Sequence, residues 1–381
     1  MKWLGKIYSM KWIINNLYHG ALPTREKQLY LKATDSVVKF HRSLSEYRPT
    51  PLIRMKDSTI PSIAGELYIK DESTRMGCRS FKALGASYSM LRAAERKWCY
   101  EHAEPFPSNK ELDIDTIWPK KSLHFRAASD GNHGRAVAWF SSTMHQRATI
   151  YLPVATKENV VATIASLGAE ICLVSGTYDD CVEQCRLETD LYGGIEISDT
   201  AYSPHMPVPW DILMGYTTLF RELDEPEIPV FDTIFIPVGV GGLAAAAVLS
   251  FRNSRYQRSV RIVTVEPESS DCLVASLSAG NSVDSTGIQN SHMVGLNCGR
   301  LSTISWPLLK EQVTVALAIS DQKVSQAIQL TSEQGIETTA TGCASLAGLL
   351  TLLDYPDNTS LLQACGIPGS RILLLNTEGS Y

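Results

Sequence analysis

The sequence predicts an α/β protein with mostly parallel sheets flanked by helices on both faces. Two observations carry this. Short apolar, β-branched runs alternate with helix-patterned segments through the middle and at the end of the chain, joined by short connections, as parallel sheets require. The 381 residues, 44% hydrophobic and 20% charged, also fit a globular chain of two or three domain-sized units, or two closely packed lobes.

The elements follow in order. Residues 1–47 read as an irregular and helical lead-in. Tyr47-Arg-Pro-Thr-Pro-Leu52 is a stiff extended entry, because each proline turns the residue before it away from helix. Leu67-Tyr-Ile-Lys70 is a short strand that runs into the turn Asp71-Glu-Ser73. Ser80 opens an amphipathic helix from about Phe81 to Arg96, with Phe81, Leu84, Tyr88 and Leu91 on one stripe. Residues 100–120 are polar and read as a loop.

Alternation then sets in. Strands are expected at 124–128, 148–152 and 170–174, with helices at 135–144, 157–167 and 178–189. Thr233-Ile-Phe-Ile-Pro-Val238 is a strand that meets a glycine-rich loop and an alanine-rich helix. Further strands are expected at 261–265 and 371–375.

A net charge of -5 gives no footprint for nucleic acid. Nine cysteines without a metal-type pair speak for a reducing compartment rather than a disulfide framework. Polar residues interrupt Met1–Tyr18, which lacks the apolar core and cleavage site of a secretory signal. No run approaches the ~18 apolar residues that span a bilayer. The expectation is a cytoplasmic protein with no membrane partner.

Five segments carry chemistry, each at a strand end or helix start, where open α/β sheets place ligands. Lys82, in Ser80-Phe-Lys82, is an amine at a helix N-terminus, a position that lowers an ammonium pKa; alone it reads first as a solvated lysine on an amphipathic helix. Ser129-Asp-Gly-Asn-His-Gly134 is a strand-to-helix turn whose backbone N–H groups suit an anion. There Asn132 could bond a phenolic oxygen and Asp130 could move a proton; a plain helix-capping turn is the other reading. Gly239-Val-Gly-Gly242, with Leu243, lets backbone close on a phosphate at a helix start. It is neither a full GxGxxG nor a Walker loop. Asp199, after Gly194-Ile-Glu-Ile197, is a second acid/base candidate or a turn cap. Thr377, in Asn376-Thr-Glu-Gly379, is a hydroxyl at a strand end, or part of a fraying terminus.

In this order the segments resemble the tryptophan-synthase-β-like (fold type II) pyridoxal-5′-phosphate (PLP) enzymes, and among them the diaminopropionate ammonia-lyases. The similarity runs from Tyr47 to Gly379 and includes Lys70-Asp-Glu-Ser73, Phe81-Lys82, Asp130-Gly-Asn-His-Gly-Arg135, Tyr178-Asp-Asp180, Asp199-Thr-Ala201, Gly215-Tyr216 and Val265-Glu-Pro267. The resemblance implies a two-lobed fold, with residues 1–85 and 199–381 as the large PLP-binding domain and 86–198 as a smaller inserted one. It implies that Lys82, preceded by Phe81, carries PLP as a Schiff base, and that Asn132 bonds the ring hydroxyl. Gly239, Val240, Gly241, Gly242 and Leu243 would cradle the phosphate, and Thr377 would face the pyridine nitrogen. Asp130 and Asp199 match the two acid/base carboxylates, one for each face of the substrate α-carbon. The implied reaction is elimination of ammonia from 2,3-diaminopropionate or a related small amino acid, giving pyruvate through aminoacrylate. A homodimer is implied, and no metal.

Three departures bear on substrate. Ser203-Pro-His205 stands where the family has Glu-Gly-Tyr, and Thr339-Ala-Thr-Gly342 where it has Gly-Glu-Ser-Gly, so a carboxylate is lost at Ala340. The chain also stops just after Gly379, short of the family's C-terminal extension. These changes suit a specialised biosynthetic role. They leave open β-replacement, serine/threonine-type dehydration or racemisation on the same scaffold, and a ligand-binding protein without catalysis as a third class. By the resemblance Cys272 and Cys298 lie close together, as a reversible bridge or as two free thiols.

Overall fold

The apolar runs pair into two sheets. The computed structural model describes residues 10–19, 22, 24–56, 65–107, 118–254, 260–356, 358–367 and 369–380, so residues 108–117 of the expected 100–120 loop lie outside the described residues. The strands, in chain order, are β1 (Met10–Ile14), β2 (Leu52–Arg54), β3 (Glu66–Asp71), β4 (His124–Ala128), β5 (Arg147–Pro153), β6 (Glu170–Val174), β7 (Ile195–Glu196), β8 (Thr233–Pro237), β9 (Arg261–Pro267), β10 (Val315–Ile319) and β11 (Arg371–Asn376). The chain divides into two compact units, one of Met1–Leu29, Thr50–Thr74 and Phe220–Ser380, the other chiefly of Tyr30–Pro49 and Arg75–Leu219.

The first unit holds a seven-stranded sheet in the order β1-β10-β9-β8-β11-β3-β2. Its five inner strands are parallel. They are buried on both faces, which is why Thr233–Pro237 and Val315–Ile319 read as continuous apolar runs without alternation. The two edges, β1 and β2, are antiparallel. Strand β1 was not expected: Lys11 and Trp12 break its apolar pattern, yet it pairs with β10 from Met10↔Ile319 to Ile14↔Val315. Alanines from Ala244 to Ala247 leave the helix Gly242–Arg252 almost wholly buried. The helix Ala344–Asp354 closes on β9 at Gly348, where a Cβ would lie 2.4 Å from Val265 Cγ2.

The second unit holds a four-stranded, wholly parallel sheet in the order β6-β5-β4-β7. Helices Asn132–Thr143, Glu158–Ser166 and Tyr178–Tyr192 alternate with its strands, near the expected bounds. The helix expected from Phe81 to Arg96 runs from Lys82 to His102, and the one expected from Arg135 begins at Asn132. Helix Pro207–Arg221, which ends across the unit boundary, was not expected. No helix among the described residues is long and apolar enough to cross a membrane.

Candidate active site

Lys82 is the first residue of its helix, and its backbone N–H donates to Ser80 Oγ at 3.3 Å. Its half-buried side chain points away from bulk water, and Nζ forms an ion pair with Asp199 Oδ2 at 2.7 Å. Nζ also lies 5.4 Å from the centroid of the Phe81 ring and 5.8 Å from that of Tyr216, within cation–π range. Phe81 and Tyr216 pack edge to face, centroids 4.8 Å apart.

Asp199 follows β7, in a segment tied down by the Ile197 N–H donating to the Arg126 carbonyl at 2.8 Å. Burial alone would raise its carboxyl. The Lys82 ammonium, then His133, then hydrogen bonds from Lys82 and Thr200 outweigh burial and hold it well below the ordinary carboxylate range. The Tyr178 hydroxyl lies 3.5 Å from Asp199 Oδ1.

Asp130 behaves in the opposite way. It sits half-buried between β4 and the helix that Asn132 opens. Burial, helped by the Asp199 charge and opposed by Lys82, pushes it up to about 7. Two carboxyls beside one amine are thus split, one firmly ionised and one poised near neutrality, the condition for distinct acid and base roles.

In the same turn Ser129 Oγ accepts the N–H groups of Gly131 and Gly134, each at 2.8 Å. Part of the anion-ready backbone expected there is therefore spent within the turn. Arg135 donates to Asn132 Oδ1 at 3.4 Å. His133 is buried; its Nε2–H donates to the Ile197 carbonyl at 2.7 Å, and burial lowers its pKa.

In the first unit, Gly239, Val240, Gly241, Gly242 and Leu243 form the turn from β8 into its helix. Gly241 has φ +91, and a Cβ there would lie 2.9 Å from Leu309 Cδ1 and 3.0 Å from Ser305 Cβ, so only glycine fits. The loop is held from behind by the Ser302 N–H donating to the Val240 carbonyl at 2.9 Å. Thr377 follows β11. Its N–H donates to the Gly342 carbonyl at 3.1 Å, while its hydroxyl is buried without a hydrogen-bond partner among the described residues.

The segment around Thr339 and the strand end that carries Thr377 are knit together. Thr339 Oγ1 donates to Glu378 Oε1, and Thr338 Oγ1 to Asn376 Oδ1, both at 2.5 Å. Asn376 Nδ2 donates to Asp71 Oδ1 at 2.8 Å. Cys272 and Cys298 are free thiols. Cys272 is buried, with Sγ 3.7 Å from the Gly239 carbonyl oxygen. Among the described residues no group of three or more His, Cys, Asp or Glu side chains is placed to hold a metal.

These residues fit PLP. An unpartnered buried hydroxyl at Thr377 matches a neutral ring nitrogen, and a helix-opening loop in which a Cβ would clash matches a phosphate cradle. A half-buried lysine held by a carboxylate matches a Schiff-base amine. Residues 44–366 match the family of pyridoxal-phosphate dependent enzymes. The chain belongs to that family. It is 28% identical to the diaminopropionate ammonia-lyase of Escherichia coli strain K12 over 90% of this chain and 87% of that one. It is 29% identical to the Salmonella typhimurium enzyme, over 90% and 88%. The crystal structure of the E. coli enzyme in complex with an aminoacrylate-PLP azomethine reaction intermediate superposes with a TM-score of 0.84 at 26% identity, covering 98% of this chain and 94% of that one.

Within the second unit Lys82, Phe81, Asp199 and Asp130 converge, with Asn132 in the turn that carries Asp130. Tyr216 and His133 stand within the matching motifs of the sequence but were assigned no role there, because what each contacts, Lys82 for one and the Ile197 carbonyl for the other, lies far away along the chain.

Proposed function

We propose that this protein is a PLP-dependent ammonia-lyase that eliminates ammonia from 2,3-diaminopropionate or a close relative, leaving pyruvate and a second ammonia. The observation that carries the reading is the Lys82–Asp199 ion pair at 2.7 Å beside an Asp130 carboxyl raised to about 7. PLP bound through Lys82 supplies the electron sink that makes the substrate α-proton acidic. Asn132 would bond its ring hydroxyl, Gly239, Val240, Gly241, Gly242 and Leu243 its phosphate, and Thr377 its ring nitrogen, with Phe81 packed beside the lysine.

The aspartates divide the proton work. Asp199 is ionised and would accept an α-proton from one face; the Lys82 ammonium that holds its pKa down here is lost when that amine carries the cofactor, which makes the carboxylate more basic. Asp130, half protonated near neutrality, serves the other face as base when ionised and protonates the departing amine when neutral. His133, buried, holds the Ile197 segment on which Asp199 is mounted. On the family pattern we read the protein as a cytoplasmic homodimer in amino-acid metabolism.

Incubation of the PLP-loaded protein with D- and L-2,3-diaminopropionate tests this. The reading predicts pyruvate and ammonia in a 1:2 ratio, abolished in Lys82→Ala, from at least one isomer. A second reading, dehydration, β-replacement or racemisation of another small amino acid, is favoured by Ser203-Pro204-His205 and Ala340, which remove carboxylates that a β-ammonium would use. No pyruvate from either isomer, with turnover of serine or threonine, would replace the first reading with the second.

A further inference from the structure

We propose that Tyr216 is a positioning residue for Lys82, its phenol forming the second hydrogen-bond station for the lysine amine when that amine is not held by Asp199. The inference rests on the assignment of Lys82 as the cofactor lysine. Tyr216 is 2% exposed, so its ring lies inside the packing of the second unit. Its hydroxyl makes no well-formed hydrogen bond among the described residues. A buried phenol without a partner carries a desolvation penalty, and native proteins rarely leave one unless another state of the molecule supplies the partner.

The group nearest in charge is Lys82, with Nζ 5.8 Å from the ring centroid. Burial pushes the phenol up to about 12, against the pull of the Lys82 ammonium, so the group stays a neutral donor and acceptor at working pH. The other charged or titratable groups acting on this corner are Asp199, Asp130 and His133. Asp199 occupies one side of the amine and the aromatic pair Phe81–Tyr216 lies within range of it as well.

The backbone is shaped to hold the ring there. A Cβ at Gly85 would lie 2.4 Å from Tyr216 Cε1 and 2.8 Å from Ile212 Cγ2. A Cβ at Gly215 would lie 2.4 Å from the Leu84 carbonyl oxygen. Two glycines, one on each helix, thus let helix Pro207–Arg221 approach the first turns of helix Lys82–His102 closely enough to seat the phenol beside Lys82. Whenever Asp199 does not hold the Lys82 amine at the end of its four-carbon stem, the phenol of a ring already within cation–π range offers it the next hydrogen-bonding partner.

The test is Tyr216→Phe, which keeps the ring and removes the oxygen. In cofactor-free protein carrying Asp199→Asn, where the carboxylate no longer holds the amine, Lys82 is labelled with acetic anhydride at fixed pH, with and without Tyr216→Phe, and the modified peptide quantified by mass spectrometry. Loss of an acceptor for the ammonium should raise the labelling rate by about tenfold, the factor a hydrogen bond to a charged group commands. In the loaded enzyme kcat should fall while KM holds, since the substrate keeps its contacts. Labelling and kcat both within about twofold of the parent, on a protein that still binds PLP, would overturn the proposal. If Tyr216→Phe fails to fold, 3-fluorotyrosine incorporated at position 216 gives the answer in the otherwise intact protein. Its ¹⁹F resonance should move on Lys82→Ala, and an unmoved resonance would overturn the proposal. If adding PLP to the parent protein does not protect Lys82 from acetylation, the assignment of Lys82 fails before Tyr216 is touched, so the two failures are told apart.

Discussion

Asp130 and Asp199 show how far one residue type can be pushed by its surroundings. Asp130 is raised from 3.8 to about 7, so the fold is favoured when this group is protonated. That contribution is fully present below the unfolded value and is lost as pH rises towards about 7. Asp130→Asn should therefore stabilise the cofactor-free protein by an amount that grows between about pH 4 and pH 7 and then levels off, read from denaturant midpoints at several pH values. Asp199 has the opposite sign. Its lowered pKa stabilises the fold above the ordinary carboxylate range, and that support is lost only as strong acid titrates it. In kinetics, Asp130→Asn should cut turnover of one diaminopropionate isomer by about 10²–10⁴-fold and spare the other. For that isomer the rate of the parent enzyme should fall below an apparent pKa of about 7. Equal loss for both isomers would remove the two-face division of labour.

Thr377 offers a second residue-scale prediction with two opposed signs. Its orphan hydroxyl costs the cofactor-free fold something, so Thr377→Val should leave stability unchanged or raise it by about 1 kcal/mol. The same change should weaken PLP binding, measured by equilibrium dialysis. A loss in both would make the hydroxyl structural rather than cofactor-directed.

At the scale of elements, legibility followed chemistry of the local chain. Strand β6 was found at its bounds, and the helix after it begins at Tyr178 because Thr177 and Asp180 form a reciprocal capping box. Thr177→Ala should cost that helix about 1 kcal/mol, seen as faster hydrogen exchange in its first turn. Elements without such marks were passed over. Helix Pro207–Arg221 has prolines at its first and third positions, which break the helical pattern along the chain, and β1 pairs along the edge that β10 offers it. The meeting of Gly85 with Tyr216 and Ile212 is equally invisible along the chain, since nothing local relates the two helices. Gly85→Ala should destabilise by about 1–3 kcal/mol through overpacking, by denaturant titration.

At the scale of the whole molecule, residues far apart in sequence meet at buried charge. Lys70 Nζ pairs with Glu222 Oε2 at 2.6 Å and donates to the Thr50 carbonyl at 2.6 Å, while Thr50 Oγ1 donates to Glu72 Oε1 at 2.5 Å. Both charged side chains are almost fully buried, at 2% and 5%. Glu222→Ala, which strands the ammonium, should cost about 3–5 kcal/mol, whereas replacing both partners by apolar residues should cost far less. Lys82, the two aspartates and the glycine loop could be singled out along the chain because each sits in a short local pattern. The buried framework that orders them was not, because it is written in pairs such as Lys70 and Glu222 that only folding brings together.

The central claim is that Lys82 carries the cofactor, and the most direct measurement is borohydride reduction of the PLP-loaded protein followed by peptide mass mapping. The account predicts one pyridoxyl adduct, on Lys82, and none after Lys82→Ala. An adduct on another lysine, or no adduct on a folded protein that retains PLP, would contradict it.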